Sequence, residues 1–280
     1  MNRNRWILAI VLFVVGAFGA AGIRLPIESA VTDPTELPDA PLVLVLNLPA
    51  FRLDVYERGE RTRSFVVSVG ARGHETPVGD YTVKRAIWNP WWHPPDSEWA
   101  KDEKPMPPGP ANPMGRVKLF FTGLYYIHGS PLEGSIGEAA SHGCIRMRNR
   151  DVIELARLVH SYASEDVGQR TLERLIEDRD ATRTIRLDRP VPLLVTYDLA
   201  EMRDGHLVLY PDVYGLARVS KRDAALAVLA RAGYDASRID RSWLASQIRE
   251  SERRTVVVHA DELRAAAPIS VGVVETRSSL

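Results

Sequence analysis

From Pro41 onward, apolar residues come in short runs, LVLVLNL, FRLDVYE and SFVVSVG, separated by turn signals at Asn47–Pro49 and Arg58-Gly59. Runs of this length read as β-strands, and one that alternates apolar with polar residues, as FRLDVYE does, reads as half-buried. TPVGDYTVKRAIW, residues 76–88, adds a turn and a strand, and VKLFFTGLYYIHG, residues 117–129, adds a hairpin pair around Gly123. RTIRL, VPLLVTY and HLVLY continue the pattern, with Asp204-Gly205 turning the last two into a hairpin. Helical spacing is confined to a few places. In NRDVIELARLVHSYA, Asn149 is the expected cap, Asp151 sits in the first turn, and Val152, Leu155, Ala156 and Val159 share one face. A short helix is expected near 169–178, and RDAALAVLARAGY and RSWLASQIRES form two more before a last strand, RTVVVHA, residues 254–260. The expected fold is mainly β with short helices, plus a small α/β C-terminal region.

The N-terminus differs. Arg3 and Arg5 precede WILAIVLFVVGAFGAAGI, residues 6–23, which carries no charge and ends in small residues. This pattern fits an exported chain, with residues 1–23 either a cleavable signal peptide or a membrane anchor. A buried core helix is the third reading, and the flanking arginines argue against it. Residues 24–40, rich in Pro, Asp, Glu and Thr, read as a linker. Charge is balanced, 36 basic against 36 acidic residues, which argues against nucleic acid as a partner.

Residues 88–115, WNPWWHPPDSEWAKDEKPMPPGPANPMG, hold eight of the prolines and four of the six tryptophans. Proline at this density excludes strand and helix interiors, so the segment reads as a long loop. It is either a binding loop or lid, or a packed surface loop pinned by its tryptophans. Trp91 and Trp92 are its candidate substrate contacts.

Cys144, in SHGCIRM, is the only cysteine of the chain. A single thiol in an exported protein is a reactive group, an intermolecular bridge, or a small buried hydrophobe. If 142–147 is extended, His142, Cys144 and Arg146 share one face while Gly143, Ile145 and Met147 share the core face. A nearby imidazolium and guanidinium favour the thiolate, and Gly143 lets backbone amides approach a developing oxyanion. This is the layout of acyl transfer through a thioester. His142 is too near Cys144 along the strand to be its base, since neighbours at i and i+2 lie about 6.6 Å apart there. His128, ending the strand YYIHGS, is the better candidate, with a backbone carbonyl beside it to orient the ring. A zinc reading of His128, His142 and Cys144 lacks a carboxylate at ligand spacing. A non-catalytic turn of satisfied polar residues is the remaining alternative. The other histidines, His74, His93, His160, His206 and His259, carry no assigned role.

IHGSP followed by GSIGEAASHGCIRMRNRDVIEL resembles the signature of the L,D-transpeptidase catalytic-domain family (YkuD-like): a His-Gly, a gap, then Ser-His-Gly-Cys and an Arg. TPVGDYTV resembles that family's Thr-Pro-x-Gly turn, and PPGPANPMG resembles its ErfK/YbiS-type periplasmic branch. The run VPLLVTYDLAEMRDGHLVLYPDVYGL is similar to a stretch that follows the catalytic domain in such enzymes, so the resemblance covers roughly 41–215. It implies a β-sandwich-like catalytic domain over 41–189, a β-hairpin at 190–219 packed on it, and a region of unassigned role at 220–280. It also implies a cysteine acyltransferase of the periplasm or cell envelope acting on peptidoglycan stem peptides. Cys144 would attack the stem and release D-alanine, with His128 as acid/base and the Gly129 carbonyl orienting it. Amides at His142, Gly143 and Cys144 would bind the oxyanion, and Ser141 and Arg146 would support the site or hold a stem carboxylate. The acceptor would be a second stem or an envelope lipoprotein, with a hydrolase or a non-catalytic wall-binding protein as alternatives. No cofactor or metal is implied. An uncleaved N-terminus would place the protein on the inner membrane.

Overall fold

The computed structural model describes residues 37–266. The apolar segment 6–23, most of the linker 24–40 and the last fourteen residues lie outside the described part. Among the described residues no helix is long and apolar enough to cross a membrane.

The short apolar runs become strands that join one large sheet. β1 (Leu42–Asn47) is buried along its whole length. β2 (Arg52–Glu57) and β3 (Glu60–Val66) follow it as a meander, while β4 (Val69–Gly70) leaves the sheet. The expected strand at 64–70 is thus two strands, because the chain breaks pairing at Val67. β2 alternates less cleanly than expected, since Asp54 is buried there against Arg52 and Arg203. β5 (Gly79–Trp88), β6 (Val117–Thr122), β7 (Tyr125–Ser130) and β9 (Ile145–Arg148) form the other half. β8 (Ala139–Ser141) pairs with β4 in a two-stranded ribbon.

α1 (Asn149–Ala163) and α2 (Gln169–Glu177) follow. α1 lays Val152, Leu155, Ala156, Val159 and Ala163 against the sheet, all at most 1% exposed. Full burial of each of the valine and leucine side chains stabilises the fold by about 1.5–3 kcal/mol. Asn149 does not cap this helix as expected. Arg148 holds the cap position with no side-chain bond, while Asn149 Oδ1 accepts from the Arg116 amide at 2.8 Å. Its amide is engaged in joining the loop end to β7, through the Ser130 carbonyl at 3.3 Å.

β10 (Arg183–Thr196) then runs through the middle of the sheet, between β1 and β5, with a register shift between Arg186 and Val191. The strand order is β3-β2-β1-β10-β5-β6-β7-β9. The boundary expected at 189/190 therefore falls inside a central strand. The hairpin expected between VPLLVTY and HLVLY does not form, because VPLLVTY is the end of β10. Instead β11 (Ala200–Arg203) pairs with β12 (His206–Leu209) across the expected turn, with Asp204 and Gly205 both at positive φ. That hairpin shares a second core with α3 (Lys221–Arg231), α4 (Arg241–Ser251), β13 (Val256–Val258) and α5 (Ala260–Ala266). Ala200, Leu207, Leu209, Ala225, Leu229 and Leu263 are its fully buried residues. The hairpin thus belongs with the C-terminal helices, because its apolar face needs them as cover. Arg52 joins the two cores, donating to Glu201 at 2.6 Å and to the Tyr210 hydroxyl at 2.7 Å.

Candidate active site

β7 and β9 lie side by side in parallel, with His128 opposite Arg146 and Ile127 opposite Ile145. Ile145 and Met147 point into the core and are fully buried, so Arg146 faces the other side. Extended geometry holds only from Ile145. Residues 142–144 form a bend, and Gly143 has φ +102°. A side chain at Gly143 would also meet the Tyr125 ring at 2.6 Å, so only glycine fits there. This bend overturns the single face expected for His142, Cys144 and Arg146. His142 turns outward instead, stacking on Trp99 at 3.9 Å between ring centroids and meeting His74 edge-on at 4.9 Å.

The bend is braced from inside. Ser141, 1% exposed, donates from Oγ to the Cys144 carbonyl at 2.5 Å and accepts from the Gly143 amide at 3.1 Å. Ser141 is thus occupied within the turn, and the Gly143 amide expected at an oxyanion already has a partner. Thr76, from the TPVG turn, donates to the Gly143 carbonyl at 2.8 Å and accepts from the Gly70 amide at 2.9 Å. Tyr214 closes the chain of bonds by donating to the Gly70 carbonyl at 2.6 Å.

His128 is 1% exposed, and its Nδ1 lies 2.7 Å from the Gly129 carbonyl. A carbonyl only accepts, so Nδ1 carries the proton and Nε2 is left with a free lone pair. Burial pushes the imidazole down to about 4; the Gly129 bond opposes this, and the charges of Arg146 and Lys118 add to it. The ring is neutral near pH 7 and able to accept a proton.

Cys144 is half-buried, and its Sγ lies 3.6 Å from the Leu124 carbonyl. Burial pushes its thiol up; the Tyr126 amide and the charges of Arg146 and Lys118 pull the other way without cancelling the effect. The expected thiolate, held by a neighbouring imidazolium, is therefore not the resting state. Burial lowers His142 as well, followed by His74 and Arg146, so neither motif histidine supplies a cation near pH 7. At rest the thiol and the His128 imidazole are both neutral.

The loop between β5 and β6 is ordered by its own polar groups. Asn112, 1% exposed, donates to the carbonyls of Pro90, Met106 and Pro107 at 2.9–3.1 Å. Trp92 exchanges backbone hydrogen bonds with Met106 and is buried inside the loop, while Trp91 is exposed and stacked on His93. The structure does not bring these two expected contacts to Cys144. Trp99, with no role expected from sequence, is the tryptophan that reaches the motif. His74 joins it there, whereas His160 is a core histidine that accepts from Trp88 Nε1 at 3.1 Å. Thr76 stood in a recognisable motif, but its partner 67 residues away could not be read from spacing. Among the described residues no cluster of His, Cys, Asp and Glu is arranged to hold a metal.

Comparison with known proteins places this geometry. Residues 41–183 match the family model described as YkuD, L,D-transpeptidase catalytic domain. The probable L,D-transpeptidase YbiS of Escherichia coli K12 is 36% identical over 118 residues, covering 39% of each chain. The probable L,D-transpeptidase ErfK/SrfK of the same strain is 32% identical over 187 residues, covering 59% of this chain and 60% of the relative. YcfS, also a probable L,D-transpeptidase of that strain, is 30% identical over 205 residues, covering 68% of this chain and 61% of the relative. The chain thus spans about two fifths to three fifths of the length of these relatives. The matched residues include β7, the SHGC bend and β9, and the chain belongs to the YkuD family of L,D-transpeptidase catalytic domains.

Proposed function

We propose that the protein is a peptidoglycan L,D-transpeptidase of the periplasm or cell envelope that works through a thioester on Cys144. The observation that carries this reading is His128: fully buried, neutral, its Nδ1 held by the Gly129 carbonyl, and on the strand in register beside the one that follows the thiol.

In the first step Sγ attacks the carbonyl at the L-centre of the diamino acid in a tetrapeptide stem while its proton passes to His128 Nε2. The C–N bond then breaks, and the same proton goes to the amine of the departing D-alanine. In the second step an acceptor amine attacks the thioester. Its proton passes through His128 to sulfur as the C–S bond breaks. Amides at His142 and Cys144 are the proposed oxyanion donors, the Gly143 amide being engaged by Ser141. A second stem or a lipoprotein amine serves as acceptor.

The test is incubation with purified tetrapeptide muropeptides and mass analysis of products. Cross-linked dimers that vanish in Cys144→Ala are expected. Shortened monomers alone would replace transfer with hydrolysis, and no product at all would sink the catalytic reading. His128→Ala should slow acylation by roughly 10²–10⁴; an effect below about tenfold would remove it as base.

A further inference from the structure

One row of side chains crosses the sheet beside the thiol. Lys118 on β6 lies opposite His128 on β7 and opposite Ile87 on β5, and His128 lies opposite Arg146 on β9. Arg85, two residues before Ile87, projects from the same side, because alternate residues of a strand share a face. The other side is core, with Ala86, Leu119, Ile127 and Met147 fully buried. Cys144 stands on the cationic side, since Lys118 and Arg146 are the two fixed charges that act on its thiol.

These cations are held in place without being neutralised. The Arg85 guanidinium lies 4.1 Å over the Phe120 ring, and Lys118 Nζ lies 4.6 Å over the Tyr126 ring. The two rings meet edge to face at 5.7 Å, so the pairs form one continuous array. Lys118 and Arg146 are half-buried, and burial works against the charge of each. The charged neighbours of Lys118 are Cys144 and Arg85, and that of Arg146 is Cys144, with no carboxylate among them. Arg85 Nε is buried and has no hydrogen-bond partner. Like charges gathered under partial burial need a counter-charge, and a resting neutral thiol supplies none.

We propose that Arg85, Lys118 and Arg146 form a carboxylate-binding subsite beside Cys144 that selects acyl donors bearing a carboxylate next to the attacked carbonyl. This rests on the proposed acyl transfer from a peptide, and names the end of the peptide that lies there. The residue that leaves is C-terminal, and its own carboxylate is close to the bond that breaks. Lys118 and Arg85 thereby make a free C-terminus a requirement of the donor.

The test compares iodoacetate, an anion, with iodoacetamide, its neutral counterpart, as alkylating agents of Cys144 in the full chain, read by intact mass. The ratio of the two rates is referred to that of a small free thiol. Any change in thiol ionisation acts on both reagents and cancels in the ratio. The wild type should favour iodoacetate by about tenfold or more over the free thiol, as a charged hydrogen bond does. Lys118→Gln should remove most of that preference, and Lys118→Arg should keep it. Arg85→Gln, measured in parallel, should lower it in the same direction, so the outcome does not depend on one variant folding. A wild-type ratio equal to that of the free thiol, or one unchanged in both Gln variants, overturns the proposal. Neither reagent is a peptide. A chain that prefers iodoacetate but forms no cross-linked muropeptide keeps the subsite and loses the peptidoglycan reading. With a tetrapeptide donor, amidation of the C-terminus should raise KM in the wild type and leave it unchanged in Lys118→Gln; equal KM for both donors in the wild type overturns the donor requirement.

Discussion

Thr76 Oγ1 donates to the carbonyl of Gly143 at 2.8 Å, so a turn 67 residues upstream holds the bend that carries the thiol. The same oxygen accepts from the Gly70 amide, and both bonds are buried. Thr76→Val keeps the shape and removes both bonds, leaving a donor and an acceptor unsatisfied at a cost of about 1–3 kcal/mol. The bend would lose its fixed position, and the proposed acylation of Cys144 by a tetrapeptide stem should slow by roughly tenfold to a hundredfold. Thr76→Ser should restore most of the rate. Equal rates in Val and Ser variants, measured by intact mass over time, would mean that the hydroxyl does not position the bend.

Trp99 stacks on His142 with planes 7° apart, and so fastens the proline-rich loop to the Ser-His-Gly-Cys motif. Such a pair contributes about 0.5–1.5 kcal/mol, which sets an opening equilibrium by a factor of about two to ten. Trp99→Ala should raise the rate of Cys144 with a bulky maleimide by that factor while leaving iodoacetamide nearly unchanged. Equal acceleration of both reagents would point to a change in the thiol and not in access.

Arg52 ties the C-terminal hairpin to the main sheet through Asp54 at 2.8 Å and Glu201 at 2.6 Å, with side chains at most 19% exposed. Arg52→Met leaves both carboxylates short of a partner. Breaking a buried pair from one side costs about 3 kcal/mol or more. The melting temperature should fall accordingly, and hydrogen exchange at β11 and β12 should rise first. Protection at β12 that falls no sooner than at β1 would show that the two cores unfold as one.

Burial pushes both His128 and His160 down to about 4, against an ordinary value of 6.5. Between these values the unfolded chain binds protons that the folded chain does not. Stability therefore rises with pH across this window and is lost as pH falls from 6.5 toward 4. Each histidine contributes up to about 3 kcal/mol over the whole window. Thermal melts between about pH 7 and 4.5 should show this decline, and His160→Gln should flatten it. A profile level across the window would mean that the two rings are not buried neutral.

The strands and helices were legible in the sequence because their signals are local. Alternation in IRMR sends Ile145 and Met147 to the core whatever lies opposite, and the spacing of Val152, Leu155, Ala156 and Val159 makes one helix face in any fold. The Ser-His-Gly-Cys motif and the upstream His-Gly were legible too, and with them the family. The bend at Gly143 was not, since an extended run and a glycine at positive φ read alike until Tyr125 is seen packed against it.

By itself the sequence determined a mainly β chain, its lone thiol, and the family signature around it. The tertiary structure decided which side chains meet, because strand register is set by the whole sheet and not by any one strand. Lys118 faces His128 only through the pairing of β6 with β7, and Arg85 joins the same face, one row along, only through the pairing of β5 with β6. The structure also decided the charge of the site. Ionisation depends on burial, and burial pushes the Cys144 thiol up and the His128 imidazole down, so both are neutral where a thiolate and an imidazolium were expected.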